Sequence, residues 1–203
     1  MASVEVTEIS KSFGQQPVLC HVSLTCQNGE GIWLQGPNGA GKTTLLKIMA
    51  GVIEADAGTI RTDGVISGGA LWDQPGLYAD LTVAENLMLV ARLQGVAPQV
   101  AEWLAEWDLT GAAHTRARHL SRGTRQRVSW VRTILHQPTL LILDEPWLGL
   151  DQKAEAQMCD YLTAFVARGG MLLMAAHHHS AQTPFITRAV TLNHGEIADA
   201  PAR

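Results

Sequence analysis

The sequence is short of cysteine, lacks long apolar runs and, over one stretch, carries no acid. Its three cysteines, Cys20, Cys26 and Cys159, stand at no metal-ligand spacing, and their odd number does not make a disulfide framework. They read as reduced thiols, which predicts a cytoplasmic setting. The longest unbroken apolar runs, such as Met171–Ala176, are about six residues, against roughly 20 needed to cross a bilayer. No apolar N-terminal segment leads into a cleavage site, so any membrane role is expected to come through a partner. Net positive charge is missing too: 15 Lys and Arg against 19 Asp and Glu leave -4 at pH 7, whereas a dedicated nucleic-acid-binding domain is normally strongly basic. No nucleic-acid partner is expected. Yet Leu109 to Leu143 contains no Asp or Glu, and LSRGTRQR, Leu120 to Arg127, packs three arginines into eight residues. This basic segment is local and needs its own explanation.

Internal repeats, low-complexity tracts and linkers are also absent. What is present, over 203 residues of which 46% are hydrophobic, is enough for one large or two small compact units. Alternating apolar positions at Val4 and Val6, and at Val22, Leu24 and Cys26, predict half-buried strands, and GIWLQ, Gly31 to Gln35, a further strand. Leu45, Leu46, Ile48 and Met49 follow with helical spacing. From Thr82 to His136 the pattern is mostly helical. Buried strands are then predicted at Leu140–Leu143 and Met171–Ala176, separated by a helix-length segment, Gln152–Ala167, which is the spacing of parallel neighbours joined by a crossover helix.

Two motifs carry chemistry. GPNGAGKTT, Gly36 to Thr44, matches G-x-x-x-x-G-K-[ST] and lies between a predicted strand and a predicted helix, where a phosphate-cradling loop belongs. Backbone N–H groups from Asn38 to Thr43 would form an anion nest at a helix start. Lys42 would reach the β- and γ-phosphates, and the Thr43 hydroxyl would serve Mg²⁺. Gly36, Asn38, Gly39, Ala40, Gly41, Lys42, Thr43 and Thr44 are thus the expected ATP-binding loop. The second motif, TLLILDEP, delivers Asp144 and Glu145 from the end of a buried strand. Asp144 fits an outer-shell Mg²⁺ role and Glu145 the general base that polarises attacking water. The expected fold is α/β: a P-loop NTPase core of mostly parallel sheet with an antiparallel edge and an inserted helical subdomain.

With these motifs placed, the chain resembles the nucleotide-binding subunits of ATP-binding-cassette (ABC) transporters over nearly its full length. The family's signature runs Leu-Ser-Gly-Gly-Gln; Leu120, Ser121, Arg122, Gly123 and Thr124 occupy those positions, departing at Arg122 and Thr124. The resemblance implies that Ser121 and Gly123 contact the γ-phosphate of ATP bound by a second copy, which would give the basic segment its purpose. It implies a D-loop at Leu148–Asp151 with Asp151 at the dimer interface, a switch histidine at His177, an adenine-stacking Phe13, and a Q-loop with Gln74, or in another register Asp73, facing nucleotide and metal. Lys42, Glu145 and His177 are then the catalytic set; Thr43, Gln74 and Asp144 surround Mg²⁺. Only a short segment, Ile60–Leu71, precedes the Q-loop, which predicts a trimmed antiparallel edge near the adenine.

The same resemblance implies a homodimer sandwiching two ATP and docked on separate transmembrane permease subunits, peripheral on the inner face of the cell membrane. Trp72, Tyr78, Trp103 and Trp107 are candidate docking contacts, with a core role favoured for Trp103 and Trp107. Residues 1–74 and 137–203 are expected to form the ATP-binding core, and 75–136 the helical subdomain. Within the family, the small size, the SRG-type signature and the GG-MLL-x-AA-H ending resemble the haem-exporter ATPase of cytochrome c maturation.

Overall fold

A computed structural model describes residues 2–74, 76–97, 99–176 and 183–198. Strands β3 (Gly31–Gln35), β5 (Gly68–Leu71), β6 (Leu140–Asp144), β7 (Met171–Ala175), β8 (Arg188–Asn193) and β9 (Glu196–Ala198) form one six-stranded sheet in the order β5-β6-β7-β3-β8-β9. All neighbours are parallel except β8 and β9. Strands β1 (Ser3–Phe13), β2 (Gln16–Gln27) and β4 (Ala57–Asp63) form a separate antiparallel sheet with β1 central and β4 at an edge.

The uninterrupted apolar character of β3, β6 and β7 follows from burial on both faces. Ile32, Leu34, Leu140, Ile142, Met171 and Leu173 point to one side, where they meet the helix α1 (Lys42–Met49) and the inward residues Val4, Val6, Val22, Leu24 and Cys26 of the antiparallel sheet. Trp33, Leu141, Leu143, Leu172 and Met174 point to the other, against α2 (Val83–Leu93), α3 (Val100–Glu106), α4 (Arg122–Ile134) and α5 (Gln152–Ala167). The crossover β6–α5–β7 pairs Leu140 with Met171 in parallel, as its spacing predicts.

Local chemistry sets where the helices begin. The Thr82 hydroxyl accepts from the Glu85 N–H while the Glu85 carboxylate accepts from the Thr82 N–H, a capping box that starts α2. Ser121 Oγ accepts from the Thr124 N–H at the start of α4, and Asp151 Oδ1 from the Ala154 N–H at the start of α5. Trp107 is buried in an edge-to-face contact with Trp130 at 5.8 Å. It therefore belongs to the core and is no docking contact; Trp103 packs half-buried against the same cluster. No helix of the described residues is long and apolar enough to cross a membrane.

Candidate active site

In a parallel sheet the strand ends that carry carbonyls all face one way, so the segments after β3, β5 and β6 gather at one edge. Gly36–Gly41 leaves β3 there and turns into α1. Gly41 holds a left-handed φ of 103°, and a Cβ on it would stand 2.7 Å from Leu19 Cδ2 and 2.8 Å from the Val18 carbonyl oxygen. Only glycine lets the loop pass this close to β2 and still enter the helix. Lys42, the first helical residue, is buried, and its Nζ donates to the Gly36 and Pro37 carbonyls at 2.8 and 3.0 Å. Its ammonium thus lies along the concave side of the loop. Asn38 and Gly39 are exposed, Ala40 is buried, and Thr44 is half-buried behind Thr43.

Thr43 Oγ1 donates to Asp144 Oδ2 at 2.7 Å, joining the loop after β3 to the end of β6 across 101 residues of sequence. Burial pushes the Asp144 carboxyl pKa up; the Thr43 hydrogen bond and Lys47 and Lys42 oppose this, while Asp73 adds to it. A cation placed there would offset the burial that disfavours the carboxylate. One hydroxyl and one carboxylate are hard oxygen donors suited to Mg²⁺, which keeps most of its shell as water or substrate oxygens. Among the described residues no group of three or more His, Cys, Asp or Glu forms a closed metal cage.

Glu145 is half-buried and holds φ of 49°, a left-handed conformation that costs a non-glycine residue about 1–3 kcal/mol. Its N–H is tied to the Ala175 carbonyl at 2.8 Å. The backbone thus leaves the extended conformation immediately after Asp144. Gln74 is exposed in the loop after β5, and Asp73 beside it lies near enough to act electrostatically on Asp144. Phe13 is 54% exposed at the β1–β2 hairpin, with Lys11 Nζ 5.7 Å from its ring centroid. This excludes the reading of Phe13 as a core residue. His177 lies outside the described residues.

Ser121 and Gly123 stand at the start of α4. Among the described residues no hydrogen bond connects either to Lys42, Thr43 or Asp144. They meet a different loop: a Cβ on Gly123 would stand 2.8 Å from the Gly149 carbonyl oxygen, and one on Gly149 would stand 3.1 Å from Arg122 Cγ. The LSRGT and LGLD segments are therefore packed on one another within the chain. Several neighbouring arginines find partners at home, Arg118 on Asp80 at 2.5 Å, Arg127 beside Asp108 at 4.0 Å and Arg125 on the Leu120 carbonyl at 3.3 Å.

The structure adds one residue that periodicity does not single out. Asn86, buried in α2, accepts from the Tyr78 N–H and donates towards the Tyr78, Leu81 and Thr82 carbonyls, knotting the loop after β5 onto the helix. Its only sequence signal is its place one residue after the Thr82–Glu85 capping box.

The protein-family model described as ABC transporter matches residues 19–148. The chain belongs to the ABC transporter family. Among curated relatives, an uncharacterized ABC transporter ATP-binding protein of Methanocaldococcus jannaschii is 31% identical over 198 residues, 95% of this chain and 75% of that protein. The Nod factor export ATP-binding protein I of Burkholderia lata is 35% identical over 87% of this chain, and the spermidine/putrescine import ATP-binding protein PotA of Pasteurella multocida 30% over 96%. The chain spans only 63% and 56% of the lengths of those two relatives. A solved ATP-binding subunit of an ABC transporter superposes with a TM-score of 0.88 at 29% identity, covering 96% of this chain and 87% of its own. A dimeric cassette with ADP and phosphate shares the fold, with a TM-score of 0.85 at 23% identity over 97% of both chains. As an ABC ATP-binding subunit the chain is an ATPase, and its fold is the α/β P-loop architecture that its motifs predict.

Proposed function

We propose that this ABC ATPase subunit works as a homodimer enclosing two Mg²⁺–ATP and drives separate membrane permease subunits, on whose cytoplasmic side it sits. The observation that supports the reading best is the 2.7 Å bond between Thr43 and Asp144. It places the phosphate loop against the Asp144–Glu145 pair in one chain, while Ser121 and Gly123 make no hydrogen bond to that cluster. A second copy is then the natural source of the signature segment. In this arrangement the loop amides and Lys42 hold the phosphates, Thr43 and Asp144 hold Mg²⁺ with Gln74 at its side, and Phe13 stacks on adenine. Held there, Mg²⁺ would supply charge neutralisation to the phosphates. Glu145 orients and deprotonates the attacking water, with His177 placed against the γ-phosphate and Asp151 at the interface. Residues 75–136 act as the helical subdomain of a core formed by 1–74 and 137–203.

Within this class, the SRG-type signature and the ending at His177 favour an exporter, with haem export for cytochrome c maturation the particular cargo that the motifs resemble. The named relatives include a Nod factor export protein and a spermidine/putrescine import protein, so cargo rests on the membrane partner.

The test is Glu145→Gln. Mg²⁺–ATP is expected to convert the variant into a dimer by light scattering while turnover falls at least 100-fold, since the base is gone and the phosphate cradle remains. In the same background Ser121→Arg should leave monomer ATP affinity near normal and abolish the dimer. Loss of affinity in Ser121→Arg would place the segment in cis, and wild-type turnover in Glu145→Gln would remove Glu145 from catalysis.

A further inference from the structure

Asp56 ties the segment that follows α1 to the hairpin that carries Phe13. It stands between α1 and β4 and bonds to each of the three residues that precede Phe13. Its N–H donates to the Ser10 carbonyl at 2.9 Å, its Oδ1 accepts from Lys11 Nζ at 2.7 Å, and its Oδ2 accepts from the Ser12 N–H at 2.7 Å. The Lys11 ammonium held in this way stands over the Phe13 ring, 5.7 Å from its centroid.

These bonds answer a local weakness of β1. Its pairing with β2 slips between Ile9 and Lys11 and again between Lys11 and Ser12, and its pairing with β4 slips between Thr7 and Ser10. Ser12 then faces Pro17, a residue with no N–H to donate. The tip of the hairpin is therefore loosely held by the ladder alone, and the Ser12 N–H finds its acceptor in Asp56. The other end of the tie is firm. The N–H groups of Val52 and Ile53 close the turn after α1 on the Lys47 carbonyl, and Ile53 and Ala55 pack against the core cluster that contains α1. The bond from Lys11, and then that from the Ser12 N–H, hold the Asp56 carboxyl below the ordinary carboxylate range, so it is ionised at neutral pH.

We infer that Asp56 is the positioning residue of the adenine platform: through Lys11 and Ser12 it fixes the Phe13 ring at a set reach from the phosphate loop. This rests on the proposal that Phe13 stacks on adenine. A ring already held in place loses little freedom when a base stacks on it, whereas a loose hairpin tip has to be ordered at the expense of affinity. Asp56 thus acts on the base end of the nucleotide, while the phosphate end is left to the loop in which Lys42 and Thr43 are separately anchored.

The experiment measures, on the full chain with Mg²⁺, the affinity for ATP and for inorganic tripolyphosphate, which carries the phosphates and no base. Phe13→Ala should weaken ATP about 5- to 100-fold, the range of one base–aromatic stack, and keep tripolyphosphate within about twofold. Asp56→Ala should weaken ATP about 3- to 10-fold, part of the loss seen without the ring, again with tripolyphosphate within about twofold. Asp56→Asn, whose side-chain oxygen can still accept from the Ser12 N–H, should recover part of that loss. In a Phe13→Ala background, Asp56→Ala should leave ATP affinity within about 1.5-fold, because the ring through which it acts is gone. The inference is overturned if Asp56→Ala binds ATP like wild type while Phe13→Ala does not, if Asp56→Ala loses ATP and tripolyphosphate in equal measure, or if its effect survives in full without Phe13. Unchanged ATP affinity in Phe13→Ala would overturn the stacking itself, and the role of Asp56 with it.

Discussion

Replacing Asn86 by Ala tests how firmly the loop after β5 is fixed to the helical layer. The side-chain amide accepts one bond, from the Tyr78 N–H at 2.8 Å, and lies 3.1, 3.2 and 2.9 Å from the carbonyls of Tyr78, Leu81 and Thr82. Its two hydrogens can serve only two of these three carbonyls fully, so about three bonds are lost. At about 1 kcal/mol net each, with no water reaching the 1%-exposed site to replace them, Asn86→Ala should cost about 3 kcal/mol. For a chain of this size that is roughly 6–12 °C in Tm. Urea unfolding should show the loss as a lower midpoint at unchanged slope. Mg²⁺–ATP affinity of the folded variant should stay near normal, because Lys42 and Thr43 are held by β3 and α1. A loss below about 1 kcal/mol would mean that the loop is secured by something other than this knot.

Lys42→Ala should weaken Mg²⁺–ATP binding about 10- to 100-fold, since a charge-assisted phosphate contact contributes about 1.5–3 kcal/mol; unchanged affinity by calorimetry would remove Lys42 from the cradle. Asp144→Asn separates stability from function through pH. Burial raises the Asp144 pKa, so the folded state holds the proton more tightly than the unfolded chain. That contribution is complete below the ordinary carboxylate pKa and is lost as pH rises through the higher folded value. Above it the buried carboxylate burdens the nucleotide-free protein. Asp144→Asn should therefore gain on wild type between acid and neutral pH in urea unfolding, while its Mg²⁺-dependent hydrolysis collapses. A stability difference that does not move with pH would refute the argument.

The sequence made some of these features plain and hid others for physical reasons. GIWLQ, LLILD and MLLMA are readable because a strand covered on both faces has no polar positions to confuse the pattern. The phosphate loop is readable because its backbone needs glycine at set places. Arg188–Asn193 is harder to see: only Val190 and Leu192 of β8 are buried, a single alternation beside β9. Ser121 and Asp151 stand out as motif members, but their second job, capping α4 and α5, shows only in the bonds they accept. Asp56 and Asn86 are invisible in one dimension because what distinguishes them is which backbone lies opposite. Trp107 illustrates the converse, an aromatic whose spacing suits a surface stripe or a core equally until Trp130 is found against it.

The place of β3 in the sheet reaches back to the making of the protein. Its two neighbours are β7 and β8, so the strand that launches the phosphate loop leaves the ribosome well before both of the strands it pairs with. At about 5–20 residues per second, the chain from Gln35 to Asn193 takes on the order of 10 s or more to emerge. Through that interval GIWL is an apolar segment without a sheet, a ready client for a chaperone, and the loop behind it has no scaffold on which to present its amides. Nucleotide consequently has nothing to grip on the growing chain and gives no help to early folding. Long-range pairing of this kind also slows the final collapse. A chain interrupted before β8 leaves the strand that positions the phosphate loop with one open edge.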